Sequence, residues 1–258
     1  DINVTSDDVI VTVGASEALY SSIQALINPC DDVLIPDPGF LSYRECVTLA
    51  GANSIPVKTS YENEFKCKVE DIEAAADNDI IIFSDEIYEK IIYGKKHHSF
   101  QKYCDNTVTI NGFSKAYAMT GLRLGYCTSN SAIMDEILKV HQYNIACVDT
   151  ACQIAANVAL NSSQKCVEDM TGQFMQRRDL VVDSLNDMGL ECHMPDGAFY
   201  VFFKCDNPQE FVHKSVKEDV ILVPGGAFGS QGEKFIRLSY AESYENLEIA
   251  MQRLKKIV

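Results

Sequence analysis

Through its first half the chain alternates short β-branched runs with amphipathic segments, and that alternation restricts the fold more than any other feature of the sequence. Residues 9–13 form a β-branched run, residues 16–27 carry apolar side chains at helical spacing, 32–35 read as strand and 43–50 as helix. Strand-like runs recur at 54–57, 80–83, 108–110 and 124–127. This pattern predicts an α/β layered domain around a mainly parallel sheet, with ligands gathering at the carboxyl ends of the strands. From about residue 131 the spacing turns helical, through 151–160 and 166–188. Past Gly189 comes a mixed region, with a strand at 198–203, a helix from Pro208, strands at 220–223 and 235–240, and a last helix from Tyr244. The expected division is a large domain over residues 1–168 and a smaller α+β domain over 169–258.

Size and composition narrow the classes of function. At 258 residues and 47% hydrophobic content the chain can bury a large core. No apolar run approaches the roughly 18 residues of a membrane span, and Asp1-Ile2-Asn3-Val4 has neither a basic region nor the apolar centre of a signal segment. A net charge of −15 disfavours nucleic-acid and anionic-membrane partners, which need clustered Lys and Arg. Ten cysteines spread through helical and strand-like runs fit reduced thiols in a cytoplasmic protein better than a disulfide framework. His97-His98 has no evident third ligand, so no metal site is expected. The first residue is not methionine, and the chain is expected to be a fragment.

The chemistry concentrates in residues 111–126, Asn-Gly-Phe-Ser-Lys-Ala-Tyr-Ala-Met-Thr-Gly-Leu-Arg-Leu-Gly-Tyr. Ser114, Lys115 and Arg123 converge on a Gly-punctuated loop where a buried strand ends. A neutral lysine forms a Schiff base with an aldehyde, and a guanidinium presents a planar fork matched to phosphate oxygens. Pyridoxal 5'-phosphate carries both groups. Gly14-Ala15-Ser16 follows a strand and opens a helix, which aims free N–H groups at an anion, although Ser16 is equally an ordinary N-cap. Asp85 follows the apolar run 80–83, so its carboxylate is expected to be buried and to need a cation, which a protonated pyridine nitrogen would supply. Phe40 sits past a strand end, where a flat ring would stack on the pyridine. Tyr88 would reach the phenolic oxygen, while Glu86 is expected to face solvent or a neighbouring chain. Arg237, in the alternating strand Phe235-Ile236-Arg237-Leu238-Ser239, is either a surface ion pair or a bidentate clamp for a substrate carboxylate. The Gly-rich stretch at 223–229 either lines the entrance or turns the chain.

Five ordered blocks resemble the class I/II aminotransferases of the fold-type I pyridoxal-phosphate family, in their aspartate aminotransferase-like branch. They are Gly14-Ala15-Ser16-Glu17-Ala18-Leu19, Ser84-Asp85-Glu86-Ile87-Tyr88, Ser114-Lys115 through Arg123, Gly125 and Tyr126, Gly197-Ala198-Phe199-Tyr200, and Ile236-Arg237-Leu238-Ser239. The resemblance implies a Schiff base at Lys115, Asp85 on the pyridine nitrogen, Tyr88 at the phenolic oxygen and Phe40 on the ring. Gly14, Ala15, Ser16, Ser114 and Arg123 would hold the phosphate, and Arg237 the substrate α-carboxylate. It further implies transamination, with aspartate and 2-oxoglutarate as the first substrates to try, in a homodimer. A β-lyase or decarboxylase of the same fold and an inactive truncated fragment stay open as alternatives.

Two departures from the family pattern stand out. The family carries a segment before the position of Asp1 that helps to form its small domain, and this sequence begins after it. Between the helix at 69–74 and Ile80 the family carries a further strand, an Asn-Pro-x-Asn-Pro-Thr-Gly loop and a helix, and the loop's Asn binds the phenolic oxygen. The few residues present here are too short for a parallel crossover. A gap in the chain between Ala74 and Asp79 is therefore expected.

Overall fold

The structure, a computed structural model, describes residues 2–258. The first half builds β1 (Val9–Thr12), α1 (Gly14–Leu26), β2 (Asp32–Asp37), α2 (Leu41–Leu49), β3 (Asn53–Lys58), α3 (Val69–Asp77), β4 (Ile82–Asp85), β5 (Thr107–Gly112) and β6 (Gly125–Thr128). Helices α4 (Ser131–Asn144), α5 (Thr150–Asn161) and α6 (Lys165–Asp187) follow. The remainder is β7 (Tyr200–Lys204), α7 (Pro208–Lys217), β8 (Val223–Pro224), β9 (Phe235–Ser239) and α8 (Tyr244–Leu254). The α/β class holds.

One sheet has the order β1-β6-β5-β4. Strand β4 is parallel to β5, and β6 is antiparallel to both β5 and β1, so β1, β5 and β4 share one direction and β6 alone is reversed. Side-chain periodicity carries no strand direction, which is why the sequence does not give this away. Every residue of β5 is buried, as its β-branched and apolar run requires of a central strand. Strands β2 and β3 form a separate parallel pair. Ile35 of β2 nevertheless shares a core with Ile10, Leu19, Ile23, Val47, Val108, Ile110 and Ile137.

Residues 74–79, where a gap is expected, run from the end of α3 into the turn before β4. The Ile80 N–H donates to the Ala75 carbonyl (3.1 Å), Asp79 takes a left-handed φ of 55°, and α3 passes into β4 through residues 78–81. Among the described residues β2 and β4 are not paired as strands.

A second core gathers Ile91, Val181, Leu185, Phe203, Ile236 and Leu254 around the antiparallel sheet β7-β9-β8. The strand expected at 220–223 shrinks to Val223–Pro224, because the Val220 N–H turns back to the Ser215 carbonyl (2.9 Å) and closes α7. After β4 the chain crosses to this core: Ile91 accepts from the Ala198 N–H (2.9 Å) and the Tyr93 N–H donates to Asp196 (2.9 Å). That crossing brings residues 85–88 beside residues 198–200. Asp37, buried at the end of β2, accepts from the Ser230 N–H (3.0 Å), the Ser230 hydroxyl (2.8 Å) and the Gln231 N–H (3.1 Å). Among the described residues no helix is long and apolar enough to cross a membrane.

Candidate active site

Lys115 lies three residues past β5, in a turn closed by the Met119 N–H on the Phe113 carbonyl (3.2 Å). The side chain is half-buried, and its Nζ lies 5.4 Å from the centre of the Phe199 ring and 5.8 Å from that of Tyr88. Burial, reinforced by the neighbouring Tyr200, pushes the Tyr88 phenol above its ordinary value.

Asp85 closes β4 and is half-buried. Its Oδ2 accepts from the Tyr43 hydroxyl (3.0 Å) and its Oδ1 from the Ile87 N–H (3.3 Å). Burial raises the Asp85 carboxyl, with the two donors and the Lys115 charge opposing it. The carboxylate is thus desolvated and has no ion-pair partner of its own, as the apolar run before it foretells. Tyr43 stands on the first turn of α2 and meets the Phe40 ring edge-on, with centroids 5.5 Å apart. Phe40 is 52% exposed, which leaves its ring open to a ligand. The Gly39 N–H donates to the Phe228 carbonyl (2.8 Å), so the Gly-rich stretch turns the chain and also anchors the approach to Phe40.

Gly14 opens α1 with a φ of 71°, and the Glu17 carboxylate caps the turn by accepting the Val13 N–H (2.5 Å). Arg123 lies over this helix start. A Cβ on Gly14 would fall 2.6 Å from Arg123 Nη2, and one on Gly125 would fall 2.4 Å from the Ala15 nitrogen. Only glycines let the loop, β6 and the helix start approach this closely. The Arg123 Nη1 donates to the Thr120 carbonyl (3.0 Å). A guanidinium and a helix N-terminus converging here both attract an anion. Ser16 is exposed at this helix start, and Ser114 is half-buried beside Lys115.

Arg237 projects from β9 between two rings, 4.6 Å from the centre of Tyr200 and 4.4 Å from that of Phe228. Its Nε is buried without a hydrogen-bond partner among the described residues. The sequence left an ion pair or a carboxylate clamp open for it. Among the described residues none of Lys115, Arg123 and Arg237 has a carboxylate within ion-pair distance.

Glu86 does not face solvent. It is buried, with Oε1 accepting from the Ser84 (2.9 Å) and Ser99 (2.8 Å) hydroxyls and Oε2 lying 2.7 Å from His97 Nε2. His97 thereby meets two carboxylates, Glu86 and Glu89, that sequence distance hid from it, with the three ligand atoms within 4.8 Å of one another. Sequence reasoning also missed Tyr43, whose one signal is its place a helical turn after Phe40. Phe199 and Tyr200, which supply one ring each beside Lys115 and Arg237, were present as a motif but had no role attached. The Asn that the resemblance puts on the phenolic oxygen has no counterpart, because α3 leads straight into β4.

The aminotransferase class I and II family matches in two stretches, residues 1–80 and 74–254, which meet at the α3–β4 junction. A probable aspartate aminotransferase from Methanocaldococcus jannaschii is 39% identical over 299 aligned positions, covering 100% of this chain and 79% of that protein. The alignment is longer than the 258-residue chain, so that relative carries extra residues within the matched span. The crystal structure of an aromatic aminotransferase from Pyrococcus horikoshii superposes with a TM-score of 0.93 at 34% identity, covering 97% of this chain and 79% of that one. The aspartate aminotransferase of Thermus thermophilus with maleate superposes with a TM-score of 0.92 at 30% identity, covering 100% and 78%. On this fold, this constellation of residues and these matches, the chain belongs to the class I and II aminotransferases.

Proposed function

We propose that the chain moves an amino group between L-aspartate and 2-oxoglutarate through a pyridoxal 5'-phosphate Schiff base at Lys115. The observation that carries this reading is the set Lys115, Arg123 and Arg237. In a chain of net charge −15, these three cations have no carboxylate partner among the described residues. An aldehyde, a phosphate and a substrate carboxylate would use all three. The residues fit the cofactor: a Cβ at Gly14 would fill the space under Arg123, and the Arg237 Nε is buried without a partner. When bound, pyridoxal 5'-phosphate supplies the aldehyde and a protonated pyridine that draws electrons from the substrate α-carbon.

The chain's own residues do the rest. The start of α1, from Gly14 to Ser16, with Ser114 and Arg123, binds the phosphate. Phe40 would stack on the ring, and Asp85, held by Tyr43, would hold a proton at the ring nitrogen. Tyr88 donates to the phenolic oxygen without help from an Asn. Arg237 would clamp the α-carboxylate, and the Lys115 amine would take a proton from the α-carbon. Aspartate is favoured by the aspartate aminotransferases among the relatives and by the four-carbon dicarboxylate in the Thermus structure. The aromatic relative makes L-phenylalanine the competitor to test beside it. A homodimer follows from the resemblance and is checked by sedimentation. A cytoplasmic setting accords with ten cysteines free of disulfides and is checked by fractionation.

Titration with pyridoxal 5'-phosphate tests the reading. A visible absorbance band forms, borohydride bleaches it and fixes the cofactor to the wild type, and Lys115→Ala abolishes the fixation. L-aspartate and 2-oxoglutarate then give oxaloacetate and glutamate in equal amounts, without pyruvate or ammonia. Fixation that survives in Lys115→Ala, or release of ammonia, would defeat it.

A further inference from the structure

Two phenols meet one carbonyl at the turn into β7. The Ala198 carbonyl accepts from the Tyr240 hydroxyl (3.1 Å) and from the Tyr93 hydroxyl, and the two phenol oxygens lie 3.3 Å apart. Each phenol has one proton and a carbonyl has two lone pairs, so both can donate here at once. Burial pushes both phenols above their ordinary value, which keeps those protons in place. Tyr93 comes from the crossing after β4 and Tyr240 directly follows β9, and both side chains are buried. The Arg178 guanidinium of α6 lies 4.5 Å from the centre of the Tyr93 ring and donates to the Pro195 carbonyl (3.1 Å), so a third element fixes that ring.

The residue held in this way is a strained one. Ala198 has a φ of 59°, in the left-handed region, where an alanine Cβ crowds the following carbonyl oxygen. A residue other than glycine stays there only when its surroundings over-determine it. The Ala198 N–H donates to the Ile91 carbonyl (2.9 Å), the Tyr240 N–H holds the Phe199 carbonyl (2.9 Å), and the two hydroxyls take the Ala198 carbonyl between them. The rotation at Ala198 decides where the next two side chains leave the chain. The centre of the Phe199 ring ends 5.4 Å from Lys115 Nζ and that of Tyr200 4.6 Å from the Arg237 guanidinium, with 4.9 Å between the two ring centres.

We infer that Tyr93 and Tyr240 are positioning residues of the active site: their hydroxyls hold the Ala198 carbonyl and keep this alanine left-handed, which aims the Phe199 ring at Lys115 and the Tyr200 ring at Arg237. They act through those two rings rather than on the substrate. With both hydroxyls gone the carbonyl loses its partners and turns toward water, which takes φ out of the left-handed region. Either hydroxyl alone still occupies one lone pair, so the loss from removing both should exceed the product of the single losses. The inference rests on the roles proposed above for Lys115 and Arg237.

The test compares the cofactor-loaded wild type with Tyr93→Phe/Tyr240→Phe, which keeps both rings, and with the same pair of changes in an Ala198→Gly background. In the double variant kcat/KM for L-aspartate should fall about tenfold or more, with kcat and KM both moving. Ala198→Gly should restore it to within about threefold of Ala198→Gly alone, because glycine takes a positive φ without strain. In the cofactor-free chain the carbon NMR shifts of Ala198 Cα and Cβ should leave their left-handed values when both hydroxyls are removed. A lower urea midpoint with unchanged kcat and KM would make the phenols merely structural and overturn the inference. Ala198 shifts that stay as in the wild type overturn it too, as does a loss of activity that Ala198→Gly does not restore. Should the double variant not fold, Tyr240→Phe alone carries the same readouts, with a fall of about threefold expected. The carbon shifts need neither cofactor nor substrate, so a wild type inactive with L-aspartate would defeat the proposed function and leave those shifts to decide the positioning.

Discussion

Replacing Arg237 by lysine keeps the charge and removes the geometry. The guanidinium lies between Tyr200 and Phe228, at 4.6 and 4.4 Å from their centres, with Nε buried and unpartnered. Its terminal nitrogens are left to meet a carboxylate side by side. Lysine presents one ammonium and no flat face, so one charge-assisted hydrogen bond goes, worth about 1.5–3 kcal/mol. Weaker contact with two rings removes about 0.5–1 kcal/mol more. A total of about 2–4 kcal/mol corresponds to a roughly 30- to 1000-fold fall in kcat/KM. The carboxylate is held alike before and during the chemistry, so most of the loss should enter as a higher KM, with kcat changed less. Steady-state kinetics with L-aspartate and 2-oxoglutarate measure both constants, and the visible band of the bound cofactor should stay as in the wild type. A KM within about threefold of the wild type would show that Arg237 does not hold the carboxylate.

Three further perturbations probe the rest of the site. Tyr43→Phe removes the hydroxyl 3.0 Å from Asp85 and should weaken cofactor binding about tenfold, measured by absorbance titration; unchanged affinity would make the contact incidental. Asp85→Asn should abolish transamination yet stabilise the cofactor-free chain. Burial raises the wild-type carboxyl above its ordinary 3.8, so the stability it contributes is present below that value and lost as pH rises through its folded pKa. The melting temperature of the variant should therefore pull ahead of the wild type as pH rises from about 4 to 7, and parallel curves would contradict the burial argument. Gly125→Ala puts a Cβ 2.4 Å from the Ala15 nitrogen and 2.5 Å from the Gly14 carbonyl carbon, neither of which can swing aside. It should cost about 1–3 kcal/mol in urea unfolding and weaken phosphate-dependent cofactor binding, whereas wild-type values in both would place the helix start farther from β6.

Local pattern carried the elements well where burial and periodicity coincide. Strand β5 is apolar or β-branched from Thr107 to Ile110 and is buried throughout, as the sequence implies. The positions of Lys115 and Asp85 were legible because each follows an apolar run that has to end at a sheet rim. What was not legible depends on distant partners. The reversed direction of β6 is a property of its neighbours, and Tyr43 acquires its role from a carboxylate 42 residues away. Glu86 looked like a surface charge until Ser99 and His97 arrived from the following loop to satisfy it. The shortened strand β8 has the same origin, since the turn closing α7 consumes the backbone that would have extended it.

The three bonds that Asp37 accepts from Ser230 and Gln231 fasten the end of β2 to the loop leading into β9. A Cβ on Gly229 would lie 2.0 Å from Asp37 Oδ1, so the fastening has no slack. Together with the Gly39 N–H on the Phe228 carbonyl it makes one joint, so a substitution at Asp37 would loosen the strand end beside Phe40 and the loop that carries the Phe228 ring against Arg237 at the same time.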